Sequence, residues 1–362
     1  MPQGYGYGNA RLRAMRSRLL TAGDYDELLA KATVEEVITR LADTPYKDAI
    51  ETALVRFDGA RCVFEAVRTD LARTLLHMRE FYAGEPAALV DLLLRRWERH
   101  NLLAILRGQK QGASLENVLA ITVPVGRIDA VALRELARQV GARAVIDLMT
   151  IWRLPYAAAL SSVRARTGAI ADLDQLELAL NRDHYAALRE ALGPGDGNRG
   201  LVLAQIQAEI DIINITTVLR LVRRPELVPL VRQRYHASDA RPLLIEPGGQ
   251  VAAERLAGLA NEANGVDGVV RALRDTPYGR ALEAGWGRYQ AGEGGIAALE
   301  RELERWQAGQ RAAMFHRDPL SIAIPIGYLG YKETEVANLR LIAQGAELNM
   351  RLELVRREMI IL

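Results

Sequence analysis

Three times in this chain an acid stands three residues ahead of an asparagine, followed by an aliphatic. The copies are Glu98-Arg-His-Asn101-Leu-Leu-Ala-Ile105, Asp211-Ile-Ile-Asn214-Ile-Thr-Thr-Val218 and Glu335-Val-Ala-Asn338-Leu-Arg-Leu-Ile342. Residues i and i+3 share one face of a helix, so each pair could do one of two things. It could pin a helix end or a neighbouring loop by hydrogen bonds, or it could belong to a polar relay or an ion site. One Asn per copy makes a catalytic set only if all copies converge, so the pattern favours pinning. A weaker fourth copy, Asn9 followed by Ala10, Leu12 and Arg13, has no acid three residues before it.

Other signals for chemistry are thin. Gly195-x-Gly197-x-x-Gly200 matches the dinucleotide fingerprint as a string. That string carries meaning only after a strand, where the glycines bring backbone against a pyrophosphate. The residues before it, Tyr185 to Leu192, read as helix, so a linker is expected. There is no Walker A string, no Gly-x-Ser-x-Gly elbow and no His-Glu-x-x-His. His77, His100, His184, His236 and His316 lack ligand spacing, and Cys62, beside Val63 and Phe64, reads as core. No nucleophile, base and orienting group assemble, so no catalytic residue, metal or cofactor is assigned.

Composition agrees. The 362 residues carry 47 basic and 45 acidic side chains, a net charge of +2, which leaves no electrostatic footprint for nucleic acid. One Cys excludes an internal disulfide and a multi-Cys zinc site. No uninterrupted apolar run approaches the length of a membrane span; the best stretch, Pro319 to Leu329, is short and holds two prolines.

The elements that would position the acid–Asn pairs are helices, for the periodicity is helical nearly throughout. A second recurrence sits between them. Thr44-Pro45-Tyr46, Leu154-Pro155-Tyr156 and Thr276-Pro277-Tyr278 each have Ala four residues after the Pro and apolar residues four and seven before it. With 13 Pro and 12 Tyr in the chain, fewer than one Pro-Tyr is expected by chance. The unit reads as helix, break at Pro, second helix, with Thr44 and Thr276 as N-caps, Pro45 and Pro277 at the first helical position, and the apolar pair as the buried stripe. Tyr46, Tyr156 and Tyr278 read as packing anchors whose hydroxyls find partners at the edge of the core. Thr33 and Glu36 fit a capping box opening Val34–Leu41.

Asn helices and Pro-Tyr units alternate along the chain, and a chain that begins and ends on the same element can close its last unit on its first. The repeats are placed at 1–112 (closed by a C-terminal helix at about 330–362), 113–224 and 225–345. Breaks are expected at Gly193–Gly200, Arg241–Gly249 and Gly292–Gly295, with a short polar turn at Gly108–Gly112. The N-terminal helix carries Arg11, Arg13, Arg16 and Arg18, which could face an acidic partner or simply form a solvated face.

The same segments resemble a known family. Tyr5-Gly-Tyr7-Gly-Asn9-Ala10-Arg11-Leu12-Arg13 is similar to the N-terminal signature of the C subunit of A/V-type rotary ATPases, the family that includes the d subunit of the vacuolar ATPase. Arg99 to Arg107, Glu209 to Asn214, Asp318 to Ile322 and Glu335 to Arg340 resemble its internal segments. The resemblance implies an all-α fold of three related helical domains around a pseudo-threefold axis, cup or funnel shaped. It implies a non-catalytic connector on the cytoplasmic side of the membrane, monomeric when isolated. Its partners would be the central shaft subunits, of D and F type, and the membrane rotor ring of proteolipid subunits; its task would be to pass torque for ion transport coupled to ATP hydrolysis or synthesis. From the residues alone, an α-helical repeat scaffold of an unrelated soluble complex stands as the alternative.

Overall fold

The structure, a computed structural model, describes residues 4–167, 172–261 and 265–362. It is 73% helical with no strand among the described residues, so the chain is all-α. Two compact units are present: Met1–Leu173 together with Arg311–Leu362, and Asp174–Gln310.

In the first unit the helix Ala323–Glu347 is the spine. It packs along Gly59–Glu80 and against Gly6–Arg16 and Val34–Leu41, burying Ile324, Leu329, Leu339 and Ile342. The second unit is built around Gly197–Val222, whose Ile215, Val218 and Leu219 meet Leu256, Val269, Leu273, Leu282 and Leu299 in one core. By length and composition Gly197–Val222 is long and apolar enough to cross a membrane, although no uninterrupted apolar run in the sequence marks it. Within the unit it is a core helix: no residue from Asn198 to Leu219 is exposed, and Asp211 and Asn214 are fully buried on it.

The helix–break–helix unit recurs as Val34–Leu41 with Lys47–Leu54, Gly141–Ile151 with Ala157–Thr167, and Gly265–Ala272 with Gly279–Gln290. At each break the carbonyl before the Pro accepts from the N–H three residues on: Lys47 to Thr44 at 3.0 Å, Ala157 to Leu154 at 3.3 Å, Gly279 to Thr276 at 3.1 Å. The helices begin two residues later than the sequence suggests. Thr44 and Thr276 also turn the other way: each hydroxyl donates back at 2.6 Å to the carbonyl of Leu41 or Leu273. Orphan carbonyls at the end of the first helix need donors, and these threonines supply them. Pro45 and Pro277 lie in the turn itself.

The second copy departs from the stripe. Leu41 and Leu273 are buried, yet Ile151 at the matching position is 74% exposed, and Met149 takes its place in the core. Here the helix ends at Ile151 in a Schellman-type closure, with Leu154 N–H on Met149 O at 2.9 Å and Arg153 in the left-handed region. That closure inserts two residues between buried stripe and Pro. Tyr156 also adopts a positive φ of 70°, a conformation costing about 1 kcal/mol for a non-glycine residue.

Smaller differences have local causes. Helix Val34–Leu41 has the expected bounds and the Thr33 cap, but Glu36 reaches Ala32 N–H rather than closing a full box. Gly108 lies inside helix Arg96–Gln111, buried where Val118 packs on it, so only Gly112 makes the turn. Gly197 opens a helix that follows another helix, Leu173–Leu192, so the Gly195–Gly200 string is not a dinucleotide loop.

Candidate functional site

The three acid–Asn pairs and the three Pro-Tyr tyrosines come together as three clasps with the same bonding. In the first, on helix Arg96–Gln111, Asn101 Nδ2 donates to Val123 O at 2.6 Å and Asn101 Oδ1 accepts from Val123 N–H at 2.8 Å. Glu98 accepts from Arg127 N–H at 2.7 Å and from the Tyr156 hydroxyl at 3.0 Å. In the second, Asn214 holds Ile245 through both backbone groups, at 3.1 and 2.8 Å. Asp211 takes Gln250 N–H at 2.8 Å, Val251 N–H at 3.2 Å and the Tyr278 hydroxyl at 2.8 Å. In the third, Asn338 holds Ile360 at 2.7 and 3.0 Å, and Glu335 takes Leu20 N–H and the Tyr46 hydroxyl, each at 2.6 Å.

The logic is one of satisfying buried polar groups. An irregular segment inside a helical core has backbone N–H and C=O groups with no ladder to join. An Asn amide mimics a backbone partner and closes a pair of bonds on one residue; the acid one helical turn earlier on the same face takes N–H groups that follow on the same loop in the first two clasps and come from Leu20 in the third. The Tyr hydroxyl then ties the helix–break–helix unit to that acid. Asn101, Asn214, Asn338, Glu98, Asp211 and Glu335 are all at most 2% exposed. Their bonds fix loops in place, which matches pinning rather than a relay.

Glycine makes room beside two of the acids. A Cβ on Gly126 would lie 2.5 Å from Glu98 Cγ, and one on Gly249 would run into Asp211 Oδ1. Gly126 also holds a φ of 109°, open to glycine alone.

The clasps differ in charge. Glu98 meets the Arg127 guanidinium, with Nη2 at 2.8 Å, and its bonds hold that guanidinium's pKa up. Glu335 meets Lys332 Nζ at 3.0 Å; the same ammonium reaches Asp70 at 2.8 Å and the Tyr46 oxygen at 2.8 Å. No cation among the described residues bonds Asp211. Burial pushes its carboxyl above the usual range, against the opposing pull of Tyr278 and the two backbone N–H groups. Burial and the adjoining carboxylates drive the Tyr46 and Tyr278 hydroxyls well up as well, so both stay protonated donors.

Asn9 is not a fourth clasp. Its Nδ2 donates to Pro319 O and Ser321 O at 2.8 and 2.9 Å, and its oxygen accepts from Tyr82 at 2.7 Å. It anchors the first helix to the start of the spine helix. Of the N-terminal arginines, Arg11 lies over Phe81 at 5.4 Å and Arg16 over Tyr331 at 3.9 Å; Arg13 is exposed, and Arg18 is exposed beyond the helix end.

The clasps follow a regular order along the chain. Val123 lies 32 residues before Pro155, and Ile245 lies 32 before Pro277. One loop thus feeds both the Asn and the acid in these two units. In the third, Ile360 and Leu20 share the work, so the loop is divided between the C-terminal and N-terminal segments. Residues 8–358 match the ATP synthase (C/AC39) subunit family. The chain belongs to that family.

Curated members resemble it over nearly the whole length. It is 30% identical to the C subunit of the A-type ATP synthase of Archaeoglobus fulgidus over 99% of this chain and 96% of that one. It is 25% identical to the protein of the same name from Methanosarcina mazei over 99% and 93%, and 28% identical to that of Thermococcus gammatolerans over 98% and 90%.

Sequence reasoning found the Asn, acid and Tyr members of each clasp but missed their loop partners. A signal was present: Val123-Pro-Val-Gly126 and Ile245-Glu-Pro-Gly-Gly249 both run from an aliphatic through Pro to Gly. Lys332, three residues before Glu335, was also legible as a same-face partner.

Proposed function

We propose that this chain is the non-catalytic connector of the central stalk in an A/V-type ATP synthase or ATPase. It lies on the cytoplasmic side of the membrane, between the shaft subunits of D and F type and the proteolipid rotor ring, and passes torque from one to the other. The observation that carries this reading is the near full-length likeness to proteins named as the C subunit of A-type ATP synthases.

The physical support is stiffness. A coupling under shear must not slip or yield, and dense packing with satisfied buried polar groups resists deformation. Each clasp replaces a loose loop by at least four internal bonds, and the third closes the chain's end on its beginning. In this reading the clasps and Pro-Tyr turns build the three repeats, 1–112, 113–224 and 225–345. Residues that vary between copies, with Arg11, Arg13, Arg16 and Arg18 among the candidates, meet partners over broad interfaces.

The test is coupling in membranes. Vesicles depleted of this protein should hydrolyse ATP without moving ions, and adding the purified chain back should restore transport. Full ion transport in its absence would end the reading.

A further inference from the structure

Half-buried on the spine helix, Arg340 has no carboxylate to answer it among the described residues. It stacks over the Phe64 ring at 4.9 Å. Arg68 stands one helical turn beyond Phe64 and donates to Thr122 O at 3.2 Å. The preceding carbonyl, Ile121 O, lies 2.8 Å from His100 Nε2. Arg340, Arg68 and His100 therefore border one place, where helices Gly59–Glu80, Arg96–Gln111 and Ala323–Glu347 meet the Ile121–Thr122 turn.

The acids nearby are already engaged. Glu65 pairs with Arg68 at 2.5 Å, and Glu333 is shared by Arg96 and Arg311, each at 2.6 Å. Burial works against the Glu333 carboxylate, yet Arg311 and Arg96 hold it below its usual range. Burial, and then Arg68, press against the charge on Arg340. The Trp97 indole N–H, edge-on to His100, has no acceptor among the described residues. Guanidiniums outnumber carboxylates here, and solvent reaches the place: His100 is exposed and Arg340 and Arg68 are half-buried.

We propose that this patch seats an acidic segment of a partner protein, a carboxylate of which pairs with Arg340 beside Arg68 and His100. A guanidinium placed over an aromatic ring still presents its planar fork of N–H donors to a carboxylate, which can bind it bidentately. The donors are spread over three helices rather than focused on one point, and the exposed side chain of Ile121 adjoins them; a peptide chain covers such a surface better than a free phosphate does. The inference deepens the connector reading, since it names the chemistry of one surface that a connector would present.

A labelled hexaglutamate peptide and the purified full chain test it by fluorescence anisotropy at low salt. Arg340→Gln should weaken binding about tenfold, and rising salt should weaken it further, whereas Arg280→Gln, at an exposed position on helix Gly279–Gln290 of the second unit, should leave it unchanged. Arg340→Lys, which keeps charge but loses the fork and the stack, should fall between and covers the case in which Arg340→Gln does not fold. Wild-type affinity in Arg340→Gln, an equal or larger loss in Arg280→Gln, or displacement of the peptide by equimolar inorganic phosphate would each overturn the assignment. If depleted vesicles regain coupling with the chain while Arg340→Gln binds peptide normally, the seat is wrong and the connector reading stands.

Discussion

Tyr46 and Glu335 lie 289 residues apart in sequence and share a 2.6 Å hydrogen bond. Neither is adjacent to a chain end, yet together with Leu20 and Ile360 they join the chain's start to its finish. Tyr156–Glu98 and Tyr278–Asp211 make the same bond at separations of 58 and 67 residues. The third bond is thus the same local device, made long-range because the repeat is opened within its loop.

That equivalence predicts the effect of Tyr46→Phe. The change removes the bond to the buried carboxylate and the one Lys332 donates to the hydroxyl oxygen, while Lys332 and Leu20 keep their bonds to Glu335. A bond to a charged group contributes about 2 kcal/mol, so the urea midpoint of the first unit should fall by a corresponding amount. Tyr156→Phe should cost less, because its bond to Glu98 is longer, at 3.0 Å, and Glu98 keeps both the backbone N–H and the guanidinium of Arg127. Equal midpoints for wild type and Tyr46→Phe would show that the closure adds nothing to stability.

Removing Ile360–Leu362 probes the other half of the same clasp. Asn338 then loses both bonds while staying buried, at a cost of about 1–3 kcal/mol for each unsatisfied group. The shortened chain should lose more stability than a Leu362 deletion, and limited proteolysis should cut first near residues 348–358. A chain lacking these three residues with an unchanged melting temperature would remove Ile360 from the clasp.

Much of this was readable in advance because it is periodic. The Asn, acid and Tyr residues recur with fixed neighbours, and helical spacing puts acid and Asn on one face. What was not readable depended on turn geometry. Nothing in Ile151-Trp-Arg-Leu154 announces a left-handed Arg153, so the buried stripe of the second copy was misplaced onto Ile151. Thr44 and Thr276 fit an N-cap equally well as a string; only the orphan carbonyls of Leu41 and Leu273 decide that their hydroxyls also point backwards. The loop partners Val123, Ile245 and Ile360 are ordinary aliphatics, selected by where the backbone passes and not by side-chain chemistry.

Two glycines of the second unit should respond to alanine with opposite signs. Gly249→Ala drives a methyl into Asp211 Oδ1, far inside contact distance. Relief requires moving a fully buried carboxylate off its N–H donors, so a loss of about 3 kcal/mol is expected. Gly258 lies in helix Ala253–Asn261 with nothing within 4 Å of an added Cβ. Gly258→Ala should gain about 1 kcal/mol from helix propensity. Denaturant unfolding of both variants checks the pair; a neutral Gly249→Ala would mean the Asp211 loop is not held as described.

Asp211, the clasp acid that no cation bonds among the described residues, gives the fold a pH dependence whose sign can be worked out. Burial raises its carboxyl pKa above the ordinary value, and Tyr278, Gln250 and Val251 only partly offset that. Between the unfolded and folded pKa values the folded chain holds a proton that the unfolded chain has lost. Stability from this group is therefore fully present below the ordinary aspartate pKa and falls as pH rises through the raised one. Asp211→Asn keeps the shape and cannot ionise, so its stability lacks this step. The stability of wild type minus that of Asp211→Asn, from urea unfolding at a series of pH values, should decline with rising pH and then level off. A difference that grows with pH would mean that the three donors outweigh burial and the folded carboxylate is the favoured form.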